Sequence, residues 1–444
     1  MMSTTFNFPR GFLWGTASSS YQNEGNNNNS NWSQWENQDG RIANNQKSGL
    51  ACNWWGGKWK EDFNRAEDTF QNSHRLSIEW SRIQPNPQHW DENAIDHYRQ
   101  ILQSLTLRGI RPMVTLHHFS DPLWLTEIGG WENPDVIDLF GKFTNKTVVS
   151  LFAFCDLWIT INEPNVYAVE GYIEGVFPPG KHDISAAYMV MLNMVKAHAN
   201  AYEIIHKIQP SAQVGVAINY RHFMPEKTWN PLDQSITQFL HNNFNNSFIT
   251  AISKGNFNFA FKKNKIREAV NTQDFVGVNY YTSDKIQFNL LRFKNLFYNA
   301  KLPVGFDLSE NNYIANYPYG MKRAIDWARK FDKPIYITEN GIEDSTDIHR
   351  PSYIIQHLYV LWQTTNYLIP IKGYFHWTLV DNFEWERGWT QRFGLWGLDN
   401  KSQLRKRRPS ADLFAEICQT NGFSSEIVSK YTPEVFQKMF PQLN

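Results

Sequence analysis

The feature that most constrains the fold is a repeated alternation between two kinds of apolar pattern. Eight runs rich in apolar, β-branched and aromatic residues have the length of a strand. These runs are Phe12–Ala17, His74–Trp80, Pro112–Phe119, Leu157–Asn162, Gln213–Tyr220, Phe275–Thr282, Pro334–Glu339 and Ile371–Val380. Between most of them lie segments with helical spacing of apolar residues, such as Asp91–Leu107 and Tyr319–Lys330. Eight alternations of strand and helix predict an α/β fold, a parallel (β/α)8 barrel.

The chain shows no boundary at which it would divide into domains. Its 444 residues exceed an average domain, but α/β barrels with insertions reach this length. The polar run 26–29 is too short for a linker, and no internal repeat is visible. We therefore interpret residues 1–444 as one (β/α)8 barrel domain.

Each predicted strand carries, or is closely followed by, a polar or aromatic residue. These residues are Gln22, Arg75, His118, Asn162 with Glu163, Asn219, Asn279 with Tyr281, Glu339 and Trp377. In parallel barrels the active site is built from the C-terminal ends of the strands. Such groups on all eight elements indicate a concave site for a polyhydroxylated ligand. The aromatic segment Ser283–Pro318 has neither strand nor helix pattern, and we interpret it as an irregular wall of this site.

Two of these strand ends carry a glutamate. Glu163 follows the run Leu157–Asn162, and Glu339 ends the run Pro334–Glu339. Glycoside hydrolysis requires two carboxyl groups, one to protonate the leaving oxygen and one on the opposite face of the sugar. A separation of about 5–5.5 Å gives retention of anomeric configuration and about 6.5–9.5 Å gives inversion. The spacing along the chain leaves that choice open.

Both glutamates lie in sequences that closely resemble the two glutamate motifs of glycoside hydrolase family 1. These are Asn162-Glu163-Pro164 and Thr338-Glu339-Asn340-Gly341. The similarity continues, in order, through Phe8–Ala17, Tyr21-Gln22, Glu24-Gly25, Arg75 with Glu79–Ile83 and Pro85, Asn279–Thr282, Trp377 with Asp381–Trp385, and Arg392–Leu395. The resemblance implies a retaining mechanism in which Glu163 is the general acid/base and Glu339 the nucleophile.

Further roles follow from the resemblance, residue by residue. Arg75 and Tyr281 match the partners of the nucleophile, where a guanidinium favours the ionised carboxylate. Trp377 matches the aromatic floor beneath the sugar. The positions implied to bind the non-reducing sugar through hydrogen bonds are Gln22, His118, Asn162, Asn219, Glu384 and Trp385. At Phe119 the chain departs from many family members, which have tryptophan there, so one indole donor is missing.

The resemblance implies an enzyme that hydrolyses terminal, non-reducing β-D-glucosyl residues, and also β-D-galactosyl or β-D-fucosyl residues. Its substrates would be small β-glycosides or short β-linked oligosaccharides, and we expect neither a cofactor nor a metal. One alternative is transglycosylation, in which a sugar or lipid hydroxyl replaces water. An inactive sugar-binding domain is disfavoured because such relatives typically lose one glutamate. Glu163 argues against a thioglucosidase, which has glutamine at that position.

Charge and composition exclude other classes of function. Lys+Arg and Asp+Glu both number 43, so the chain gives no electrostatic reason to expect nucleic acid or an anionic membrane as partner. No stretch approaches the ~20 apolar residues of a membrane span. The cysteines Cys52, Cys155 and Cys418 lack the spacing of a disulfide framework or a zinc site. With no apolar leader in Met1–Phe8, we expect a cytoplasmic protein, and the oligomeric state stays open.

Overall fold

The computed structural model describes residues 4–292, 296–365 and 370–440. Within these ranges the strands are β1 (Thr5–Asn7), β2 (Leu13–Ala17), β3 (Ser73–Ser77), β4 (Arg111–His117), β5 (Leu157–Asn162), β6 (Gln213–Asn219), β7 (His222–Pro225), β8 (Asn256–Phe259), β9 (Lys262–Lys265), β10 (Phe275–Asn279), β11 (Ser283–Phe288), β12 (Tyr298–Lys301), β13 (Ile335–Asn340), β14 (Ile371–Trp377), β15 (Trp396–Leu398), β16 (Arg405–Arg407) and β17 (Gly422–Ser424).

The helices of the same ranges are α1 (Ser20–Glu24), α2 (Asn31–Glu36), α3 (Trp59–Asp68), α4 (Trp80–Ile83), α5 (Glu92–Leu107), α6 (Leu123–Glu127), α7 (Val136–Leu151), α8 (Pro164–Tyr172), α9 (Ile184–Ile208), α10 (Pro231–Leu240), α11 (Ser247–Lys254), α12 (Pro318–Ala328), α13 (Arg350–Thr364), α14 (Pro409–Thr420), α15 (Ser425–Tyr431) and α16 (Pro433–Met439). A π-helical turn, His241–Asn246, joins α10 to α11.

Eight parallel strands close into a barrel in the order β2, β3, β4, β5, β6, β10, β13 and β14, with β14 pairing back onto β2. The predicted (β/α)8 barrel is therefore confirmed, and each of the eight predicted runs overlaps one of these strands. The predicted ends are those of the observed strand for Leu157–Asn162 and differ for the other seven runs. The run His74–Trp80, for example, is a strand only as far as Ser77, because Ile78 is buried in the connection that follows and Trp80 is buried at the start of α4.

The core has an inner part and an outer part, because successive residues of a strand face opposite sides of the barrel wall. In β5, Leu157 and Ile159 belong to the inner cluster, together with Met113 of β4. Trp158 belongs to the larger outer cluster, which also contains the buried faces of the helices. The helices thus cover the outside of the wall, and the inner cluster fills the barrel beneath its mouth.

Helix α5 shows how the sequence builds one of these covering helices. Asp91 caps its N-terminus by accepting hydrogen bonds from the backbone N–H groups of Asn93 and Ala94. Its apolar residues recur at helical spacing and are buried, Ile95 and Leu102 among them. Each fully buried side chain of this size stabilises the fold by about 1.5–3 kcal/mol.

The prediction that Ser283–Pro318 is irregular was wrong in part, because this segment contains β11 and β12. The two strands form a three-stranded sheet with β7, in the order β12, β11, β7. Strand β11 runs parallel to β7, with Ser283 opposite His222 and Ile286 opposite Pro225. Polar and apolar residues alternate from Lys285 to Phe288, a strand pattern that the prediction overlooked.

The first and last parts of the described chain lie together on the barrel. Strand β1 pairs antiparallel with β17, Phe6 opposite Phe423.

The three cysteines are free and buried. Among the helices within the described ranges, none is long and apolar enough to cross a membrane.

Candidate active site

Neighbouring strands of the barrel wall bring four predicted site residues to one rim. Glu163 follows β5 directly, Asn219 ends β6, Asn279 ends β10, and Glu339 lies near the end of β13. Asn279 is in register with Asn219 on one side and with Glu339 on the other. The two glutamates therefore face the same mouth of the barrel, with two strands between them.

Glu163 occupies a sharp turn between strand and helix. Its φ of 44° lies in the left-handed region, and it is the N-cap residue of α8. Pro164 takes the first helical position, where its missing N–H costs nothing. A non-glycine residue rarely adopts this backbone conformation, and such residues concentrate at functional sites. The turn places Glu163 at the rim rather than along the strand.

Two amides hold the carboxyl group of Glu163. Asn279 Nδ2 donates to Oε1 over 2.7 Å, and Asn219 Nδ2 donates to the same oxygen over 3.0 Å. Burial, and secondly the charge of nearby Glu339, raise the pKa of Glu163 to about 8. Glu163 is therefore protonated at neutral pH. Because both amides donate to Oε1, the proton belongs on Oε2.

Glu339 has a cation as a direct partner. Arg75 Nη1 donates to its Oε1 over 2.5 Å, and the Tyr281 hydroxyl donates to its Oε2 over 2.6 Å. Burial raises the pKa of Glu339, whereas the Arg75 guanidinium and the Tyr281 hydroxyl act against that rise. Of the two glutamates, Glu339 is thus the one that is stabilised as a carboxylate.

Arg75 is itself fixed from several sides. It is fully buried, and its Nη2 donates to Asn162 Oδ1 over 2.6 Å. Its Nε donates to the Thr115 hydroxyl, and its Nη1 also donates to the carbonyl of Thr338, both over 3.2 Å. A buried cation that satisfies its donors in this way holds Glu339 in one orientation.

The rim encloses a cavity of about 360 Å³, a volume typical of sites for small ligands. The predicted residues that line it are His118, Asn162, Glu163, Asn219, Tyr281, Glu339, Trp377, Glu384 and Trp385. Arg75 and Gln22 are fully buried and do not line it. Gln22 instead donates through Nε2 to Glu384 Oε2 over 3.2 Å and accepts from the Ser19 hydroxyl. The cavity therefore combines two carboxyl groups with a polar and aromatic wall.

Three stacked rings form one side of the cavity. The His118 ring lies nearly parallel to Trp377, with centroids 6.1 Å apart, and nearly parallel to Trp385, with centroids 6.0 Å apart. Phe119 meets Trp385 edge to face at 5.2 Å. Apolar ring faces beside polar groups suit a sugar, which has both C–H faces and hydroxyl groups.

Glu384 lies in the segment that follows β14 and lines the same cavity. Burial and the neighbouring Glu386 raise the pKa of Glu384 to about 8. Its protonated form donates one hydrogen bond and its ionised form only accepts, so both can bind hydroxyl groups.

Several residues of the cavity wall were missed by sequence reasoning. They include Glu170, Phe177, Arg221, Phe244, Glu386 and Gln391, whereas Tyr313 lies in the segment Ser283–Pro318 that was interpreted as wall. For Glu170 a signal was present, since it lies seven residues after Glu163 on α8 and therefore on the same helix face, as Val166 does. Arg221 and Phe244 come from a loop and the π-helical turn, for which no such spacing exists.

Comparisons with known proteins agree with this geometry. Residues 4–423 match the family model described as Glycosyl hydrolase family 1. The chain is 30% identical to β-glucosidase A of Thermotoga maritima, over 94% of this chain and 98% of the relative. It is also 30% identical to a β-galactosidase of Pyrococcus woesei, over 95% and 98% respectively. A solved β-glycosidase of Pyrococcus horikoshii superposes with a TM-score of 0.89 at 34% identity, covering 96% of this chain and 98% of the other.

Proposed function

The chain belongs to glycosyl hydrolase family 1, and on this premise we propose that Glu163 is its general acid/base and Glu339 its nucleophile. The protein is a retaining β-glycosidase. The observation that carries the assignment of roles is the difference between the partners of the two carboxyl groups. Glu339 is bonded to the guanidinium of Arg75, whereas the partners of Glu163 among the described residues are the neutral amides of Asn219 and Asn279.

In the first step the Glu339 carboxylate attacks the anomeric carbon, and the bond to the glycosidic oxygen breaks. The proton on Glu163 moves to that oxygen, so the leaving group departs as a neutral alcohol. The products are a glycosyl ester on Glu339 and an ionised Glu163. The hydrogen bond from Tyr281 and the ion pair with Arg75 orient Glu339 for this attack.

In the second step water attacks the anomeric carbon from the side that the leaving group has vacated. Glu163 now takes a proton from the water, and the ester bond to Glu339 breaks. Two inversions at the same carbon give net retention. The ester has no negative charge, so the electrostatic influence that raises the pKa of Glu163 is removed just when Glu163 must act as a base.

The proposed sugar is a terminal β-D-glucosyl residue, with β-D-galactosyl and β-D-fucosyl residues as further substrates. Support comes from the relatives, which are named β-glucosidase and β-galactosidase. Within the cavity, Trp377 is the proposed floor, and Glu384 faces the hydroxyl groups remote from the scissile bond. Gln22 is proposed to act on the sugar through Glu384, to which it donates a hydrogen bond. The remaining proposed contacts to the sugar come from His118, Asn162, Asn219 and Trp385.

Transfer to a sugar or lipid hydroxyl is the second candidate function. Hydrolysis is favoured over it because the relatives named above are hydrolases by name. An inactive sugar-binding role is not favoured either, since Glu163 and Glu339 both line the cavity.

We also propose that residues 1–444 act as one catalytic domain, because β1 and β17 join the two ends of the described chain. The three free cysteines support a reducing, cytoplasmic compartment.

The experiment that tests the reaction is proton NMR of the first sugar released from a nitrophenyl β-glucoside. The β-anomer must accumulate before mutarotation, because double displacement retains the configuration. Initial release of the α-anomer would overturn the assignment of Glu339 as nucleophile. Initial rates on the matching galactoside and fucoside then rank the sugars.

A further inference from the structure

The residues that follow β10 leave the barrel wall at a point where the pairing of the strands is irregular. Asn279 is the last residue of β10, and the register between β10 and β13 shifts between Val278 and Asn279. Tyr280 and Tyr281 lie beyond this point, although the backbone N–H of Tyr280 still donates to the carbonyl of Glu339 over 3.0 Å. The carbonyl groups of such a segment need partners other than a neighbouring strand.

Two side chains supply these partners. Asn340, the residue after the proposed nucleophile, donates through Nδ2 to the carbonyl of Tyr280 over 2.6 Å. Tyr353, on α13, donates its hydroxyl to the carbonyl of Tyr281 over 2.7 Å. The same hydroxyl accepts a 2.9 Å hydrogen bond from Asn340 Nδ2. Asn340 and Tyr353 thus form one connected set of hydrogen bonds that holds both carbonyl groups.

The direction of each of these hydrogen bonds follows from the atoms involved. A carbonyl only accepts, so the group of Asn340 that faces the carbonyl of Tyr280 must be the NH2 group. Its Oδ1 then accepts from the hydroxyl of Tyr374 over 2.9 Å. Because the Tyr353 hydroxyl accepts from Asn340, its own proton is free for the carbonyl of Tyr281.

The surroundings of Tyr353 keep its hydroxyl a donor. Tyr353 and Asn340 are fully buried, and the Tyr353 ring stacks on His357 with centroids 3.8 Å apart. Burial raises the pKa of Tyr353 well above its ordinary value and lowers the pKa of His357 to about 3. The other titratable groups that face Tyr353 are Tyr280 and Tyr374. Tyr353 is therefore protonated and His357 neutral near neutral pH.

The carbonyl that Tyr353 holds belongs to the residue whose side chain contacts the proposed nucleophile. The Tyr281 hydroxyl donates to Glu339 Oε2 over 2.6 Å. Hydrogen bonds to an ionised carboxylate depend steeply on distance and angle. A small tilt of the Tyr281 backbone is amplified at the hydroxyl, because the whole ring lies between them. The position of the Tyr281 carbonyl therefore affects the stability of the Glu339 carboxylate.

Three charged or titratable groups besides Tyr281 face Glu339 from other elements. They are Arg75 on β3, Glu163 after β5 and Glu384 after β14. Within the described ranges, none of these three is a hydrogen-bond partner of Tyr353. The hydrogen-bonded connection from Tyr353 to the Glu339 carboxyl group runs through Tyr281.

We propose that Tyr353 is a positioning residue of the reaction, which holds Tyr281 against Glu339 without touching the substrate. This inference rests on the proposed function, because it takes Glu339 as the nucleophile. It assigns to α13, on the outside of the barrel wall, a direct part in orienting that carboxylate.

The variant Tyr353→Phe tests the proposal, because it removes the hydroxyl and keeps the ring. With methyl β-D-glucoside, whose poor leaving group makes ester formation slow, kcat should fall about 2- to 10-fold, the scale of one hydrogen bond, while KM stays near the wild-type value. The acid limb of kcat/KM against pH should move to higher pH, as in Tyr281→Phe but by less, since the Glu339 carboxylate is less stabilised. An acid limb at the wild-type position would overturn the proposal, even if the variant is less thermostable.

The double variant Tyr281→Phe/Tyr353→Phe distinguishes positioning from a general loss of stability. If Tyr353 acts through Tyr281, its hydroxyl has no further effect once the Tyr281 hydroxyl is gone. The double variant should then match Tyr281→Phe in kcat and in the position of the acid limb. Losses in kcat that multiply would mean that the two residues act independently, and would overturn the proposal.

The matched control is Tyr336→Phe. Tyr336 is a buried tyrosine near the start of β13, at the end of the strand remote from Glu339, and its hydroxyl donates to Gln213 Oε1 over 3.3 Å. Its pH profile should match that of the wild type. A shift of the acid limb in Tyr336→Phe equal to that in Tyr353→Phe would overturn the proposal.

A second variant applies if Tyr353→Phe does not fold. Asn340→Ala removes the donor to the Tyr353 hydroxyl and to the carbonyl of Tyr280. Its acid limb should also move to higher pH, because Tyr281 is again held less firmly. An acid limb at the wild-type position in this variant would overturn the proposal in the same way.

Titration of Glu339 by carbon-13 NMR separates this inference from the proposed function, since it needs no turnover. The pKa of Glu339 should be higher in Tyr353→Phe than in the wild type. If it is, but the wild type hydrolyses no β-glycoside, the proposed function fails and the positioning contact stands. If the wild type hydrolyses with retention and Tyr281→Phe raises the pKa of Glu339 but Tyr353→Phe does not, the inference fails and the function stands.

Discussion

Asn279 and Glu163 are joined by a hydrogen bond of 2.7 Å from the amide Nδ2 to the carboxyl Oε1. The Asn279 Oδ1 in turn accepts a 2.6 Å hydrogen bond from the hydroxyl of Thr338, the residue before Glu339. One side chain of β10 thus connects the proposed acid/base to the strand of the proposed nucleophile. Asn279 thus helps to fix the position of Glu163 relative to the strand of Glu339, and it also lowers the pKa of Glu163.

Replacing Asn279 should change the pH dependence of the enzyme as well as its rate. The amide stabilises the ionised form of Glu163, so its loss in Asn279→Ala raises the pKa of Glu163 further. The alkaline limb of kcat/KM against pH should therefore move to higher pH, with a loss of activity of about tenfold. Asn93→Ala, at an exposed position on α5, is the control. An unchanged alkaline limb in Asn279→Ala would contradict the role of this bond.

Replacing Tyr281 should affect the opposite limb. In Tyr281→Phe the 2.6 Å hydrogen bond to Glu339 Oε2 is lost, so the ionised form of Glu339 is less stable and its pKa rises. The acid limb should move to higher pH, and kcat/KM at its optimum should fall about 10- to 100-fold, the effect of losing one hydrogen bond to a charged group.

The matched control for this variant is Tyr319→Phe, which removes a phenol hydroxyl from a half-exposed ring on α12. Its pH profile should match that of the wild type. A shift of the alkaline limb rather than the acid limb in Tyr281→Phe would mean that Tyr281 acts on Glu163 and not on Glu339.

The pKa of Glu163 should change during the catalytic cycle. In the free enzyme burial and the charge of Glu339 raise it to about 8, so the rate should be bell-shaped and decline above that pH. When a 2-fluoroglycosyl ester occupies Glu339, that charge is gone and the pKa of Glu163 should fall. Titration by carbon-13 NMR, with the resonance assigned through Glu163→Gln, measures both values. The same pKa with and without the ester would refute the proposed change of role.

Glu384 should make the enzyme discriminate against sugars phosphorylated at O6. An ionised carboxylate in a buried site repels a phosphate, but burial raises the pKa of Glu384 to about 8. The preference for nitrophenyl β-glucoside over its 6-phosphate should therefore grow as the pH rises through 8, reaching at least about 100-fold in kcat/KM. Glu384→Gln should lose this growth with pH. A preference for the phosphate at any pH would mean that the sugar pocket is misassigned.

The sequence predicted the barrel and most of the cavity because both depend on local signals. Each barrel strand is an apolar run of its own, and the site residues follow the strand ends. Asn162, Glu163 and Glu339 could be placed at the mouth for this reason, since parallel strands end at the same face. Gln22 was placed in the sugar-binding set, and the structure puts it behind the wall, bonded to Glu384.

The sheet of β7, β11 and β12 and several residues of the cavity wall were not predicted in the same way. Strand β11 alternates polar and apolar residues from Lys285 to Phe288, but its pairing with β7, distant in the sequence, has no local signal. Phe244 lies on the π-helical turn, a geometry without a recognised sequence pattern. Glu170 was predictable in principle from its helical spacing to Glu163, but only once α8 was known to begin at Pro164.

The most direct test of the central claim is the configuration of the glycosyl azide formed by two variants in the presence of azide. In Glu163→Ala the glycosyl ester on Glu339 still forms from an activated substrate, and azide attacks it to give the β-glycosyl azide. In Glu339→Ala no ester forms, and azide displaces the leaving group directly to give the α-glycosyl azide. NMR of the two products should show β from the first variant and α from the second. The exchanged result, α from Glu163→Ala and β from Glu339→Ala, would reverse the two roles and contradict the account.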